Sequence, residues 1–292
     1  MNKFIPTLAL TLFGLAALAA DKKIVFIAGP PSHGPGEHEH RAGCLLLKSC
    51  LDNLPEVTTV LYTNGWPAGP NPLEGAATIV VYSDGAAGHP LLQPARLKTL
   101  GALMDQGVGL VCLHFAVEPT LENGEKEFLN WIGGAFEINW SVNPVWTAQF
   151  KSLPDHPITR GVKPFQLRDE WYFHMRFPEN MKGVTPILSA VPDASTTNRN
   201  DGPHEGNPVV RELVARGEPQ PVAWAMTRAD GGRGFGLTGG HYHKNWGDEN
   251  LRKLVLNAIL WTAKIEVPRD GVASSVSPGQ LKENLDPKPA GR

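Results

Sequence analysis

The chain has 292 residues, 41% of them apolar, with 27 basic against 29 acidic side chains. So even a balance, without any basic cluster, argues against nucleic-acid binding, and the apolar share supports a sizeable core without covalent staples. Cys44, Cys50 and Cys112 read as small buried apolar residues: on a helix, Cys44 and Cys50 point to divergent faces and cannot bridge.

Residues 1–20 have the layout of an export signal. Met1-Asn-Lys3 is a positive start, Leu8 to Leu18 an apolar stretch, and Ala17-Leu-Ala19-Ala20 a small-residue cleavage site. The stretch is too short to span a membrane, and the cleavage motif argues against a retained anchor. The expectation is a periplasmic or secreted protein with no membrane association after signal removal. Roughly 270 residues then remain, which suits one large α/β domain over 21–268 with an extended tail over 269–292.

Lys23 to Ala28 is a continuous apolar strand broken by Gly29-Pro30-Pro31. After a histidine-rich loop, Ala42 to Leu54 has helical spacing, and Val57 to Tyr62 and Thr78 to Ser83 read as strands. Pro94 to Gln106 is a helix with Pro in its opening turn and Gly107 as its stop. Gly109 to Leu113 is a buried strand ending at His114. Short strands are expected over Trp146–Phe150, Glu170–Phe173 and Val184–Leu188, and an exposed, aperiodic loop over Thr196–Pro208. Pro221–Met226 and Gly234–Thr238 form two strands about the turn Asp230-Gly231-Gly232, and Asn250–Ala263 is a last amphipathic helix. The tail after Val267-Pro268, rich in Ser, Pro, Lys and Asp, reads as loosely packed. Strands and helices alternating in this way imply right-handed crossovers and an open, mostly parallel sheet with helices on both faces.

Residues just past the carboxyl ends of such strands face the ligand crevice. Four clusters fall there or close by. Ser32-His33-Gly34-Pro35-Gly36-Glu37-His38-Glu39-His40 follows the first strand; His33 and His38 are site candidates, and His40 reads as part of a solvated loop. His114 ends its own strand. In Asp169-Glu170-Trp171-Tyr172-Phe173-His174, Glu170 and Tyr172 share one face of an extended segment. A carboxylate beside tryptophan suits a sugar, whose ring packs on the aromatic face while its hydroxyls bond the carboxylate. Gly239-Gly240-His241-Tyr242-His243 lets backbone approach a ligand, with His241 and His243 on one face if the strand continues. Dinucleotide, Walker, His-Glu-x-x-His and Gly-x-Ser-x-Gly fingerprints are absent from the sequence.

Together, Ser32-His33-Gly34, Gly109-Leu-Val-Cys-Leu-His114-Phe-Ala, Asp155-His-Pro-Ile-Thr-Arg-Gly161, Asp169-Glu170-Trp-Tyr and Gly236-Leu-Thr-Gly-Gly-His241 resemble the ThuA-like (trehalose utilisation) family. The resemblance spans about Lys23 to Pro268 and implies the flavodoxin-like sheet of the class I glutamine amidotransferases. In that superfamily the strand-end elbow carries a cysteine nucleophile; here His114 stands at the elbow, so the chain is not expected to be a glutamine amidotransferase. An amidase using Cys112 ranks last, because a mid-strand thiol is inaccessible.

The resemblance implies sugar catabolism, and the residues are read accordingly. A hydrolase or lyase acts on a glycoside or keto-glycoside, with His114 and His241 as acid and base and Glu170 orienting one of them or binding a hydroxyl. His33, His38, Asp84, Trp171 and His243 form the carbohydrate pocket. The alternative is a non-catalytic module that holds a sugar or metal. The sequence requires no cofactor; a divalent metal on His33, His38 and a further imidazole is a variant of the first reading.

Overall fold

The computed structural model describes residues 21–288; residues 1–20, where an export signal is expected, lie outside the described residues. The main sheet has seven strands in the order β2-β1-β3-β4-β9-β8-β7. Its strands are β1 (Lys22–Ala28), β2 (Val57–Tyr62), β3 (Ala76–Tyr82), β4 (Gly109–Leu113), β7 (Val184–Ala190), β8 (Gln220–Thr227) and β9 (Arg233–Leu237). The β2-β1-β3-β4-β9 portion is parallel, and β8 and β7 extend it antiparallel. The turn at Asp230-Gly231-Gly232 forces the β8–β9 pairing, since a short connection can only join antiparallel neighbours.

Strand alternation splits the core. Ile24, Phe26, Ala28, Val80, Tyr82, Val111 and Leu113 face α1 (His40–Leu51) and α5 (Glu249–Thr262). Val25, Ile27, Ile79, Val81, Leu110 and Cys112 face α2 (Pro94–Asp105) and α3 (Glu125–Trp131). Because both faces are covered, the central strands carry no polar alternation, and their sequences are unbroken apolar runs. All three cysteines are free, and Cys112 is fully buried, with a thiol pKa pushed up by burial. Among the described residues, no helix is long and apolar enough to cross a membrane.

A separate hairpin, β5 (Val145–Phe150) with β6 (Phe165–Glu170), packs Trp146, Ala148 and Phe150 onto the α1/α5 side. The expected strand over Glu170–Phe173 is thus displaced: the ladder ends at the Val145–Glu170 pair. Pro144 has no N–H to continue it, and pairing resumes only at an isolated bridge between Val142 and Phe173. The remaining helix is α4 (Pro208–Ala215), capped by the Asn207 side chain accepting from the Val210 N–H.

The tail differs from its expected looseness. It returns to α1, where Arg41 Nε donates to Asp286 (3.1 Å) and the Asp286 N–H donates to Glu39 (2.8 Å). Lys288 reaches Glu39 at 3.4 Å. The polar composition here serves specific ion pairs against the histidine-rich loop.

His89 gives the fold a pH dependence away from the strand ends. Its Nε2–H donates to Ala116 O and its Nδ1 accepts from the Leu91 N–H, so the buried ring must be neutral. Burial pushes its pKa down to about 4. The unfolded chain therefore binds a proton on this ring below pH ~6.5 and the native state does not, so stability is lost as pH falls from ~6.5 toward 4. His89→Gln, whose amide can donate and accept at the same places, should flatten the stability difference between pH 7 and pH 5 by about 2 kcal/mol. Urea midpoints at the two pH values measure it; parallel pH dependences in variant and wild type would refute the assignment.

Candidate functional site

Four adjacent parallel strands, β1, β3, β4 and β9, deliver their carboxyl ends to one place. The β1 loop brings His33 and His38, β3 is followed by Ser83-Asp84, β4 by His114, and β9 by Thr238-Gly239-Gly240-His241. The end of β6 adds Asp169, Glu170 and Tyr172 from the hairpin side. The strand order turns outward on both sides of the β1/β3 pair, which is the switch position where open α/β sheets form a crevice.

His114 has φ 58°. A non-glycine residue held in that region at a strand end is strained, and the strain turns its side chain back over the sheet edge. His38 and His241 are joined by backbone: the His38 N–H donates to His241 O (3.0 Å) and the His243 N–H to Gly36 O (2.9 Å). Two glycines make the β9 end possible. A Cβ on Gly239 would lie 2.3 Å from the Trp171 ring, and Gly240 adopts φ +116°.

The resulting centre consists of His38, His114, His241 and Glu170, whose ligand atoms all lie within 4.8 Å of one another. His38 Nε2 is 3.0 Å from His241 Nδ1 and 3.1 Å from His114 Nε2. Glu170 Oε2 is 3.2 Å from His241 Nδ1 and 3.5 Å from His114 Nε2. Behind each ring stands an acceptor. His38 Nδ1 donates to Asp84 at 2.8 Å and His114 Nδ1 to Thr238 O at 2.7 Å, while His241 Nε2 faces Glu37 at 3.5 Å. Asn143 Nδ2 donates to the second Glu170 oxygen (3.1 Å), leaving Oε2 for the centre.

These partners fix the tautomers. With Nδ1 of both His38 and His114 donating outward, their Nε2 lone pairs face one another at 3.1 Å. Tyr172 can donate its hydroxyl to His114 Nε2 (3.1 Å), but nothing else separates the two lone pairs among the described residues. Burial holds both imidazoles well below the ordinary histidine range, so a proton is a poor bridge between them. A divalent ion with bonds of about 2.0–2.1 Å sets neighbouring tetrahedral ligands roughly 3.3 Å apart, which matches these separations. Acceptors behind ligating imidazoles are also the usual second layer of a metal site. The residues fit a divalent cation. At His241 burial opposes protonation, but Glu170, Asp169 and Glu37 outweigh it and raise the pKa.

The other candidates fall elsewhere. His33 is not a member of the four-donor set; its ring stacks on His38 at 3.5 Å between centroids, on the solvent side. Asp84 orients His38 and accepts from Ser32 Oγ (2.9 Å), so it supports the centre from behind. Trp171 is fully buried, packs against Phe150 and donates Nε1–H to Leu167 O, and cannot touch a sugar. Strand alternation is the reason: Glu170 and Tyr172 take the site face and Trp171 the core face. His243 points away because the chain turns into a 3₁₀ helix at that residue; its buried ring lines a separate cavity of about 450 Å³ with Tyr242, Lys244 and Leu281. His40 is also buried rather than solvated, opening α1 with Nδ1 donating to Pro30 O. Two residues absent from the sequence reading lie near the centre. Glu118 sits four residues past His114 and accepts from His204, which the loop after β7 carries inward.

Residues 40–262 match the family model ThuA, trehalose utilisation. Among solved structures, a ThuA-like protein from Bacteroides uniformis is similar with a TM-score of 0.60 at 17% identity, over 86% of this chain and 95% of that one. Another, from Parabacteroides merdae, has a TM-score of 0.56 at 15% identity, over 88% and 94%. No curated protein matches the chain.

Proposed function

The chain belongs to the ThuA, trehalose-utilisation family, which gives it a role in carbohydrate metabolism, and on that premise we propose that it is an exported, metal-assisted hydrolase or lyase of a glycoside or keto-glycoside. One observation carries the chemistry. Three imidazoles, with an acceptor behind each, turn their inner nitrogens onto a common point beside a carboxylate.

His38, His114, His241 and Glu170 would hold the ion. A divalent cation there would polarise a sugar oxygen and acidify a carbon next to a ketone. Asp84 and Thr238 lock the His38 and His114 rings, so no reorganisation is needed when substrate enters. The same burial and fixed tautomer make His114 a ligand rather than a mobile proton carrier. His33, over a third exposed, and Glu37 form the solvent-facing rim where sugar hydroxyls arrive. Tyr172 keeps its proton, because burial and then Glu170 and Glu118 raise its pKa well above the ordinary phenol range, and with His114 Nε2 given to the ion its hydroxyl is a donor toward Glu170.

The test combines composition with product. Elemental analysis of purified protein should find about one divalent ion per chain, and chelation should abolish turnover of keto-glycosides followed by mass spectrometry. An ion without any product after long incubation would favour a sugar- or metal-holding module. Protein that neither carries nor takes up an ion, yet turns over substrate, would overturn the metal assignment.

A further inference from the structure

Outside the four-donor centre lies a second pair of titratable groups. Glu118, buried to 1% exposure, presents both carboxylate oxygens to His204 Nε2, at 2.9 and 3.0 Å. His204 adopts φ +63°, and its backbone is pinned on both sides: its N–H donates to Ile138 O (2.8 Å) and its carbonyl accepts from the Asn143 N–H (3.1 Å). The ring stacks on Phe136 at 5.2 Å and meets the edge of Phe115 at 6.4 Å. Those two rings also border the centre. Phe115 lies 6.0 Å from His38, and Phe136 lies 5.3 Å from Tyr172, whose hydroxyl reaches His114. His204 is therefore one aromatic ring away from His38, through Phe115, and two away from His114, through Phe136 and Tyr172. Its side chain is 29% exposed, and Nδ1 makes no hydrogen bond among the described residues.

A loop tied down for stability alone needs no open imidazole nitrogen beside a metal-ligand cluster. With Nε2–H committed to a buried carboxylate, the free nitrogen is oriented as in other carboxylate–histidine pairs that move protons. We propose that His204 is a catalytic general acid that protonates the departing oxygen of the glycoside from Nδ1, with Glu118 as its positioning residue. This rests on the glycoside reading above. The glycosidic C–O bond breaks with its electron pair retained on oxygen, and that oxygen takes the Nδ1 proton. The sugar carbon either takes OH from water, whose remaining proton passes to solvent, in hydrolysis, or forms a C=C bond as a neighbouring C–H proton passes to solvent, in elimination. His204 finishes neutral and regains its proton from solvent.

The electrostatics agree. The Glu118 hydrogen bond raises the His204 pKa, outweighing burial and Arg199, with Glu170 adding to the rise. Burial raises Glu118 in turn, partly offset by His204. His204 thus holds its proton to higher pH than an ordinary imidazole.

The experiment compares wild type, His204→Gln and Glu118→Gln on two keto-glycosides, one with an alkyl and one with a nitrophenyl leaving group. His204→Gln should lose about 10²-fold or more in kcat/KM on the alkyl substrate and less than about 10-fold on the nitrophenyl one, whose oxygen departs without a proton. It should also lose the alkaline limb of the pH profile. Glu118→Gln should shift that limb to lower pH, and both variants should keep the wild-type metal content. Equal losses on both substrates, or an unmoved alkaline limb in Glu118→Gln, would overturn the assignment while leaving the metal-centred function intact. A metal-loaded wild type that cleaves neither glycoside would overturn the functional reading and the acid role with it.

Discussion

His114→Ala should purify without its divalent ion and lose about 10³-fold or more in kcat/KM, since a Lewis-acid centre is worth several kcal/mol of transition-state stabilisation. His114 is the residue to remove because it belongs wholly to the centre. It is fully buried, its Nδ1 is used by Thr238 O, and its Nε2 sits within 3.5 Å of His38, Tyr172 and Glu170. Asp84→Asn should act more gently, lowering metal affinity about 10- to 100-fold, because it disturbs the acceptor behind His38 rather than a ligand. His243→Ala is the control: its ring faces a separate cavity, so metal content should stay at the wild-type level. Isothermal titration with the metal alone, on protein checked by circular dichroism, separates the three. If His114→Ala binds metal as tightly as wild type, the four-donor centre is wrong.

How far the site was readable depends on what kind of signal each residue leaves. His38, His114 and His241 stand at or beside the ends of apolar runs, and a parallel sheet gathers strand ends, so position alone pointed to them. Two-residue alternation put Glu170 and Tyr172 on one face, though only Glu170 was expected in the site, and the ladder itself breaks at Pro144. The same rule, applied strictly, would have sent Trp171 to the core; its neighbourhood with a carboxylate outweighed its face. His243 failed for a different reason, because alternation ends where the 3₁₀ turn begins. His204 left no periodic trace. It lies in an aperiodic loop and meets a partner 86 residues away, a contact that only tertiary structure supplies. Glu118 did leave one: a carboxylate between Val117 and Pro119, directly after a buried strand, is costly unless paired. The tail misled through composition, since Arg41–Asp286 and Lys288–Glu39 use the very residues that suggest looseness.

Asp169→Ala should destabilise the protein by about 3–5 kcal/mol, although Asp169 touches no ligand position. Its carboxylate is completely buried and accepts from four donors: the Glu170 N–H (2.8 Å) and His241 N–H (3.0 Å) on one oxygen, the Gly240 N–H (2.9 Å) and Asn245 Nδ2 (2.9 Å) on the other. It thereby ties the end of β6 to the turn after β9, which carries Glu170 and His241 into the same space. Burial raises its pKa, and the Asn245, Gly240 and Glu170 hydrogen bonds together with the nearby His241 ring oppose that rise. Alanine removes the acceptor and leaves buried N–H groups unpaired, the costly half of the hydrogen-bond asymmetry. Asparagine is no rescue, because one of its two ends would present N–H to N–H. For a domain of this length the loss corresponds to roughly 10 °C in Tm. Urea unfolding should show a lower midpoint at unchanged slope, and metal affinity measured well below the variant's Tm should fall as well, since His241 and Glu170 lose their common anchor. A variant with the wild-type midpoint would mean that water replaces the carboxylate at no cost, which a site closed to solvent on both oxygens does not allow.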